Sequence, residues 1–277
     1  MTRYYKVSGS GNDFLALVEP ERNPDSGSIA AWCRRGLSIG ADGLFTLRRE
    51  GPAVRMEYWN ADGLGAALCI NGTRCAARLA MELGWVVNEV QVLTGAGPIA
   101  ARAASGERIS LEFSPPSDPP SLRRVEALGE VWEGYFQMVG VPHFVILWPH
   151  GMASVPVATL GAALRHHPAF APDGANVNFI RYPGPDHMEI RSFERGVEAE
   201  TLACGSGVLA AAAVGVDLGK ATLPLEVLTA GGFRIEVRGE VDGGRIRSWE
   251  MAGDARILAD GTLHEGAAHL PPAAQWS

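Results

Sequence analysis

The sequence has few cysteines, and none of them forms a C-x-x-C pair. Four cysteines in 277 residues are too few for the disulfide framework of a small secreted domain. The seven histidines show no spacing typical of metal ligands, and a zinc-type cysteine pair is missing. The sequence also lacks a Walker A loop, and residues 9–14 lack the third glycine of a dinucleotide-binding fingerprint. We therefore expect no metal and no nucleotide cofactor.

Positive charge is also scarce, because 24 Lys and Arg face 31 Asp and Glu, which leaves a net charge of −7. An acidic surface of this kind lacks the basic patch that binds nucleic acid or anionic lipid. The longest apolar run, residues 208–216, is about half as long as a membrane-crossing helix. The first residues show no signal-peptide pattern. We expect a cytoplasmic protein with neither a nucleic-acid nor a membrane partner.

The sequence contains an internal repeat with an offset close to 135 residues. Cys69 is followed after 15 residues by Gly84, and Cys204 is followed after 15 residues by Gly219. A Val-Leu-Thr tripeptide ends 25 residues after each of these cysteines. Agreement at separated places is typical of two copies of one structural unit.

A proline-rich segment lies between the two copies. Residues 114–121 contain four prolines, which neither a helix nor an interior strand tolerates. We therefore predict an N-terminal domain at 1–117 and a C-terminal domain at 118–263. The tail at 264–277 is either a frayed end or a strap that returns to the first domain.

Each half combines several alternating or β-branched runs with one helix that directly follows its cysteine. Residues 74–83 are mostly apolar, and residues 208–216 carry no charge. A helix that is apolar on every face has to be buried on every face. We predict an α+β fold with two pseudo-symmetric domains, each a barrel-like curved β-sheet wrapped around a central α-helix.

Cys69 and Cys204 occupy the same place in the two copies, between a strand and the start of the predicted helix. Free N–H groups and the positive end of the helix dipole favour an anion there, so we expect a lowered thiol pKa. Two such thiols on opposite sides of a cleft suit the inversion of a stereocentre. One removes a proton from one face while the other delivers a proton to the opposite face. The pattern predicts racemisation without a cofactor.

Other interpretations of the cysteines stay open. A free cysteine is most often a small buried hydrophobe, which fits Cys33 and Cys75. A redox pair is a further interpretation, and it requires the two sulfurs to lie within bonding distance. The shared position of Cys69 and Cys204 favours catalysis for these two residues.

Several segments of the chain resemble the diaminopimelate epimerase family. They are residues 6–14, 39–43, 60–63, 141–143, 176–179 and 194–196, together with the two cysteine elements. The resemblance implies a diaminopimelate epimerase-like fold of two domains that close on the substrate. It also implies interconversion of LL- and meso-diaminopimelate in lysine biosynthesis, without pyridoxal phosphate or metal, by a homodimer.

The resemblance further implies a role for each matching residue. Cys69 and Cys204 would be the acid/base pair, with His143 and Glu194 as the polar neighbours that tune the thiols. Donors to the reacting α-carboxylate would come from Ile70, Asn71, Gly205 and Ser206. The far end of the amino-acid substrate would be held by Asn12, Asn60, Asn176, Glu194 and Arg195.

The chain departs from the family's usual pattern near these residues. Ile70 stands where glycine is usual, and its β-branched side chain disfavours a positive φ, so the loop is either compatible with a negative φ or strained. Val141 replaces an asparagine, and Glu194 precedes Cys204 by ten residues instead of nine. The reacting sulfurs are unaffected. A second hypothesis is therefore a cofactor-independent racemase of a different amino acid, and a third is a thiol switch or binding protein without turnover.

Overall fold

The computed structural model describes residues 2–269, and most of their regular structure is β-strand. The strands of this part of the chain, in order, are β1 (Thr2–Gly9), β2 (Asn12–Val18), β3 (Gly43–Glu50), β4 (Ala53–Asn60), β5 (Gly65–Ala66), β6 (Glu89–Thr94), β7 (Gly97–Ala103), β8 (Arg108–Phe113), β9 (Ser121–Ala127), β10 (Glu130–Val139), β11 (Val141–Leu147), β12 (Asn176–Gly184), β13 (His187–Glu194), β14 (Ala199–Thr201), β15 (Leu225–Thr229), β16 (Arg234–Asp242), β17 (Arg245–Asp254) and β18 (Arg256–Leu263). Many of these strands are short and joined by tight turns, as the alternating runs in the sequence predict.

Helices are few in the same residues. The α-helices are α1 (Ser26–Cys33), α2 (Ile70–Glu82), α3 (Ala162–Arg165) and α4 (Gly205–Asp217). A π-helical turn at Val157–Gly161 precedes α3, and single 3₁₀ turns lie at Met152–Ser154, Pro168–Phe170 and Glu265–Ala268. Between residues 2 and 269, no helix has both the length and the apolar composition of a membrane span.

The chain divides into two compact units. Unit 1 comprises Met1–Leu111 and Asp254–Ser277, and unit 2 comprises Glu112–Gly253. The domain bounds predicted from the prolines, 1–117 and 118–263, stay a prediction. In unit 1 the Ser38 hydroxyl donates to the carbonyl of Ala267 at 2.8 Å. Residues 270–277 of the predicted tail lie outside the described residues.

The sheet of unit 1 curves around helix α2. Strand β1 lies antiparallel between β18 and β2, β2 runs parallel to β3, and β3 is antiparallel to β4. Strand β4 then runs parallel to β6, which continues antiparallel through β7 to β8, while the short β5 pairs with β4. Helix α2 contacts strands from both ends of this order, including β18 and β7. A flat sheet could not place both ends against one helix, so the sheet is strongly curved.

Unit 2 repeats this pairing order strand by strand. Strand β10 lies antiparallel between β9 and β11, β11 runs parallel to β12, and β12 is antiparallel to β13. Strand β13 runs parallel to β15, which continues antiparallel through β16 to β17, while the short β14 pairs with β13. Helix α4 packs against β10, β11 and β12. The internal repeat of the sequence is therefore a repeat of topology.

Helix α4 is buried on every face, as its composition predicts. All residues from 208 to 216 are buried. Because its side chains are small, neighbouring residues can reach the backbone of the helix. Tyr182 Oη donates a hydrogen bond to the carbonyl of Ala211 at 2.8 Å. A Cβ on Gly215 would lie only 2.5 Å from Tyr182 Oη. The predicted central helix is confirmed in this unit.

Helix α2 begins at Ile70, four residues before the start expected from the apolar pattern. The earlier start has a local cause, because Cys69 caps the helix and its sulfur accepts a hydrogen bond from Gly72 N. This bond satisfies one of the free N–H groups of the first turn. Most residues of the helix from Ile70 to Ala80 are buried within the sheet.

Candidate active site

In unit 1, Cys69 is the N-cap of helix α2. Its sulfur lies 3.4 Å from the backbone nitrogen of Gly72, within the range of a sulfur-accepting hydrogen bond. Ile70 opens the helix and does not have a positive φ. The loop is therefore compatible with a β-branched side chain, without the strain that a left-handed conformation would impose.

Tyr58, which was not among the residues predicted from the sequence, lies beside Cys69. Its Oη donates to Asn60 Oδ1 at 3.0 Å. Burial, followed by the neighbouring sulfur of Cys69, raises the pKa of the Tyr58 phenol, which therefore remains a neutral hydrogen-bond donor. Tyr58 and Asn60 are two residues apart on β4, so they share one face of the strand. This two-residue spacing from Asn60 is the feature of the sequence that could have indicated Tyr58.

Asn12 and Asn71, both predicted to bind substrate, are hydrogen-bonded to each other. Asn71 Nδ2 donates to Asn12 Oδ1 at 2.5 Å. Arg74 Nη2 donates to Asn71 Oδ1 at 2.7 Å, and Asn12 Nδ2 donates to Asp42 Oδ2 at 3.2 Å. A cation at one end and a carboxylate at the other therefore determine how both amides are oriented.

Buried Arg74 also stabilises the turn that carries Asn12. Its Nη2 donates to the Ser10 hydroxyl at 2.8 Å. Ser10 has a φ of 51°, and both its backbone nitrogen and its hydroxyl donate to Asp254 Oδ1, at 2.9 and 3.0 Å. These bonds offset the cost of a left-handed serine. Arg74 and Asp254 were not predicted from the sequence, because they lie 180 residues apart in the chain.

In unit 2, Cys204 is the N-cap of helix α4 and is buried. The Glu194 side chain lies within hydrogen-bonding reach of the Cys204 sulfur, and the Thr201 hydroxyl donates to Glu194 Oε1. Ser206 Oγ lies 3.7 Å from the sulfur. Gly205 and Ser206 form the first turn of the helix, where backbone N–H groups are free of helical partners.

The pKa of Cys204 shifts in the direction opposite to the one expected at a helix N-terminus. Burial, followed by the Glu194 carboxylate, raises the pKa of the Cys204 thiol well above its usual value. Burial also raises the pKa of the Glu194 carboxyl. The expectation of a lowered pKa was wrong for Cys204, because desolvation and a neighbouring carboxylate outweigh the helix dipole. In this structure the sulfur is a thiol that faces a carboxyl group.

His143 is fully buried on β11, where its Nδ1 lies 3.1 Å from Asn178 Nδ2. Burial lowers the pKa of His143 to about 3. A hydrogen bond from the ring to the Val139 backbone opposes this shift, and the cation of Arg195 adds to it. The imidazole is therefore neutral near pH 7. Its Nε2 makes no hydrogen bond within residues 2–269.

Asn176 and Arg195 meet where β12 and β13 are paired. Asn176 Oδ1 accepts a hydrogen bond from the backbone nitrogen of Arg195 at 2.7 Å. The amide of Asn176 therefore positions the segment that follows Glu194. Unit 1 thus groups Cys69 with the helix-start residues and the asparagines predicted beside it. Unit 2 groups Cys204 with Glu194 and its own helix-start residues.

The other two cysteines lie in the apolar interior of unit 1. Cys33 and Cys75 are 3% and 1% exposed. Burial raises the pKa of Cys33 to about 11 and also raises that of Cys75. Both stay protonated at neutral pH, as expected for small buried hydrophobes. In the described part of the chain, no three His, Cys, Asp or Glu side chains are grouped as a metal ion would require.

Comparison with known sequences identifies relatives across nearly the whole chain. A family model described as diaminopimelate epimerase matches residues 4–112 and 135–258. The chain is 37% identical to the diaminopimelate epimerase of Aquifex aeolicus (strain VF5), and the match covers 95% of this chain and 98% of that one. It is 38% identical to the diaminopimelate epimerase of Methanothrix thermoacetophila, over 86% of this chain and 89% of that one.

Solved structures share the fold at lower identity. A phenazine biosynthesis protein of the PhzF family from Enterococcus faecalis gives a TM-score of 0.69 at 18% identity, covering 95% of this chain and 99% of that one. A hydroxyproline epimerase from Agrobacterium vitis gives 0.66 at 15% identity, covering 94% and 91%. These likenesses, with the repeated sheet around one helix, confirm the predicted fold class.

The lowered pKa of His143 makes acid stability testable. Between pH 6.5 and about 3, the unfolded chain holds a proton on this residue that the folded protein does not hold. The free energy of unfolding therefore falls as the pH drops through this range, by up to about 1.4 kcal/mol per pH unit. We expect His143→Gln to lose less stability than the wild type between pH 7.5 and 4.5, as measured by urea unfolding. Equal losses in both proteins would contradict this assignment.

The contact between Glu194 and Cys204 predicts a change in thiol reactivity. In Glu194→Gln the sulfur no longer faces a carboxylate, so we expect iodoacetamide to alkylate Cys204 at lower pH than in the wild type. Timed alkylation over a pH series, followed by peptide mass spectrometry, measures this change. Cys75 serves as an internal reference whose modification stays the same. An unchanged pH dependence at Cys204 would show that the carboxylate does not control this thiol.

Proposed function

Because the chain belongs to the diaminopimelate epimerase family, we propose that it interconverts LL- and meso-diaminopimelate by moving a proton at Cα. The observation that carries this proposal is the cysteine at the start of a buried central helix in each unit. A thiol next to free N–H groups is suited to proton transfer beside a carboxylate. The relatives at 37% and 38% identity bear the name of this activity.

We assign the two proton transfers to Cys69 and Cys204. One sulfur, as a thiolate, takes the α-proton from one face of the carbon, and its S–H bond forms as the C–H bond breaks. The electron pair spreads into the adjacent carboxylate, and the other thiol then delivers its proton to the opposite face. One proton leaves and one arrives, so the substrate is inverted and the two sulfurs exchange protonation states.

Cys204 is assigned as the thiol that donates a proton in the first turnover. Its raised pKa, which burial and Glu194 cause, supports this assignment. When Cys204 has given up its proton, the thiolate faces Glu194. In the reverse direction this thiolate is the base, and it takes the α-proton back while Cys69 acts as the acid. Cys69 is then the base of that first turnover, next to the neutral phenol of Tyr58.

We assign the first turns of helices α2 and α4 to binding of the substrate's reacting α-carboxylate. The proposed donors are the first-turn groups of Ile70, Asn71, Gly205 and Ser206. Their N–H groups and the positive ends of the two helix dipoles stabilise the charge that develops as the proton leaves. Preorganised donors of this kind need no reorientation during the reaction, which is why they lower the barrier.

The far end of the substrate is assigned to five polar side chains. They are Asn12, Asn60, Asn176, Glu194 and Arg195. The relay from Arg74 to Asp42 supports the role of Asn12, because it holds the amide in one orientation. Arg195 carries a planar guanidinium that can bind a carboxylate through two parallel hydrogen bonds.

Replacing either cysteine tests the two-thiol mechanism. We expect Cys69→Ala and Cys204→Ala each to reduce solvent deuterium incorporation at Cα of diaminopimelate by about 10²–10⁴-fold, because each removes an acid/base group. Mass spectrometry of the substrate over time measures the exchange. Cys33→Ala, at a buried cysteine outside the proposed site, is the matched control and should keep wild-type exchange.

Two outcomes would overturn this proposal. Full exchange in both single variants would reject the two-thiol mechanism. Strong exchange in the wild type with another amino acid, and none with diaminopimelate, would favour a racemase of different specificity that uses the same cysteines. A panel of amino acids assayed under one set of conditions separates these cases.

We also propose that the enzyme acts in the cytoplasm as a homodimer, as the family resemblance implies. One chain has a mass of 29.4 kDa. Sedimentation velocity should therefore give a species of twice that mass at micromolar concentration. A single species with the mass of one chain would refute the dimer without affecting the proposed reaction.

A further inference from the structure

Tyr58 on β4 has a defined position near the start of helix α2. Its ring meets the ring of Phe14 edge-on, with the centroids 6.0 Å apart and the planes at 78°. Gly43 provides space for the phenol, because a Cβ at that position would lie 2.8 Å from Tyr58 Oη and 2.8 Å from Tyr58 Cε2. Any side chain at position 43 would therefore displace the hydroxyl group.

The hydroxyl group of Tyr58 reaches two acceptors. Its Oη lies 3.0 Å from Asn60 Oδ1, and it also forms a hydrogen bond with the side chain of Cys69. A phenol carries one proton, so it donates to one of these acceptors at a time. The protonation state of the sulfur therefore decides which acceptor is used.

The direction of the bond to Cys69 follows from its effect on the phenol. Burial raises the pKa of Tyr58, and the charge of the neighbouring sulfur and the hydrogen bond with it raise this pKa further. A hydrogen bond raises the pKa of a phenol when the neutral O–H group is the donor. Hydrogen bonds to a charged acceptor are roughly twice as strong as those between neutral groups. The hydroxyl therefore donates to Cys69 when the sulfur is a thiolate, and to Asn60 when the sulfur is protonated.

We propose that Tyr58 is a further catalytic residue, whose phenol donates a hydrogen bond to the Cys69 thiolate and turns to Asn60 when Cys69 takes up a proton. The phenol keeps its own proton throughout and makes the thiolate available before it removes the α-proton. Asn60 then keeps the hydroxyl from losing its acceptor. This inference deepens the proposed function and rests on it, because Cys69 is the base only under that proposal.

Other charged or titratable side chains of unit 1 act on Cys69 or on Tyr58. They are Arg74 and Cys75 on helix α2, Asp42 before β3 and Cys33 at the end of helix α1. The Arg74 cation favours a thiolate at Cys69, whereas the Asp42 carboxylate opposes ionisation of the phenol. Tyr58→Phe leaves all of these groups in place, so a shift measured in this variant is caused by the lost hydroxyl group.

Thiol reactivity tests the hydrogen bond in the resting protein. Tyr58→Phe removes the hydroxyl and keeps the ring that contacts Phe14, and Cys69 is only half-buried, so iodoacetamide can reach it. We expect the midpoint of the pH dependence of Cys69 alkylation to rise by about one pH unit or more, because a hydrogen bond to a charged group is lost. Peptide mass spectrometry resolves Cys204, whose midpoint should not change. An unchanged midpoint at Cys69 would overturn the inference.

Two further variants accompany this measurement. Gly43→Ala keeps the phenol but displaces it, so we expect the Cys69 midpoint to rise. This variant carries the test if circular dichroism shows that Tyr58→Phe does not fold. Tyr5→Phe is the matched control, because Tyr5 is buried in the same unit and its ring lies against the cation of Arg3. It loses the same atom and should keep the wild-type midpoint, and an equal shift there would contradict a specific role of Tyr58.

Asn60→Ala shows whether the phenol acts on the sulfur directly. We expect the Cys69 midpoint of the double variant Tyr58→Phe/Asn60→Ala to exceed that of Asn60→Ala by at least as much as Tyr58→Phe exceeds the wild type. Equal midpoints in the double variant and in Asn60→Ala would show that Tyr58 acts only through Asn60. That result would refute the direct hydrogen bond.

Activity distinguishes a catalytic from a structural role of Tyr58. In Tyr58→Phe we expect the acid limb of kcat/KM for α-proton exchange on diaminopimelate to move to higher pH by the same amount as the alkylation midpoint. This limb reports the essential base of the free enzyme. A structural role would lower the whole profile without moving the limb, and such a result would contradict the proposal.

The failure of this inference is distinguishable from the failure of the proposed function. A raised Cys69 midpoint in Tyr58→Phe, together with no exchange on diaminopimelate by the wild type, would overturn the function and leave the hydrogen bond intact. Normal exchange by the wild type, together with an unchanged midpoint and an unchanged pH profile in Tyr58→Phe, would do the reverse.

Discussion

Burial of one whole helix inside each curved sheet is the constraint on which the rest of the structure depends. The first N–H groups of such a helix have no partners along the chain, and burial keeps water away from them. In unit 1 the sulfur of Cys69 accepts one of these N–H groups. The other N–H groups are suited to bind an incoming carboxylate. Negative charge spreads into such a carboxylate when an α-proton is removed, and the N–H groups stabilise it. The packing of the helix therefore creates the chemistry at its start.

The repeated topology does not give the two cysteines the same environment. Asn60 ends β4 in unit 1, and Glu194 ends β13, the matching strand of unit 2. The Asn60 amide accepts a hydrogen bond from the neutral phenol of Tyr58. The Glu194 carboxyl group instead lies against Cys204 and raises the pKa of that thiol. One scaffold thus carries two different neighbours for the sulfur. Under the proposed mechanism, this difference favours Cys204 as the sulfur that starts a turnover with the proton.

Local patterns predicted the elements of this fold well, because they depend on nearest neighbours along the chain. The uncharged run at 208–216 predicted a buried helix, and the spacing around Cys69 and Cys204 predicted two equivalent helix starts. Contacts between distant residues were missed. Arg74 and Asp254 lie 180 residues apart, and Asn178 and Ser192 face each other only because β12 and β13 pair in one register. No periodicity in the sequence indicates such a pairing.

The sequence by itself determined the family, the repeat, the strand-rich architecture and the position of one cysteine at the start of each central helix. Each of these depends on residue types at fixed spacings, which folding does not alter. Only the tertiary structure decided the protonation of Cys204 and the neutral state of His143 near pH 7. Both depend on burial and on side chains from other strands, and desolvation together with the Glu194 carboxylate reversed the pKa direction that the helix start alone would give.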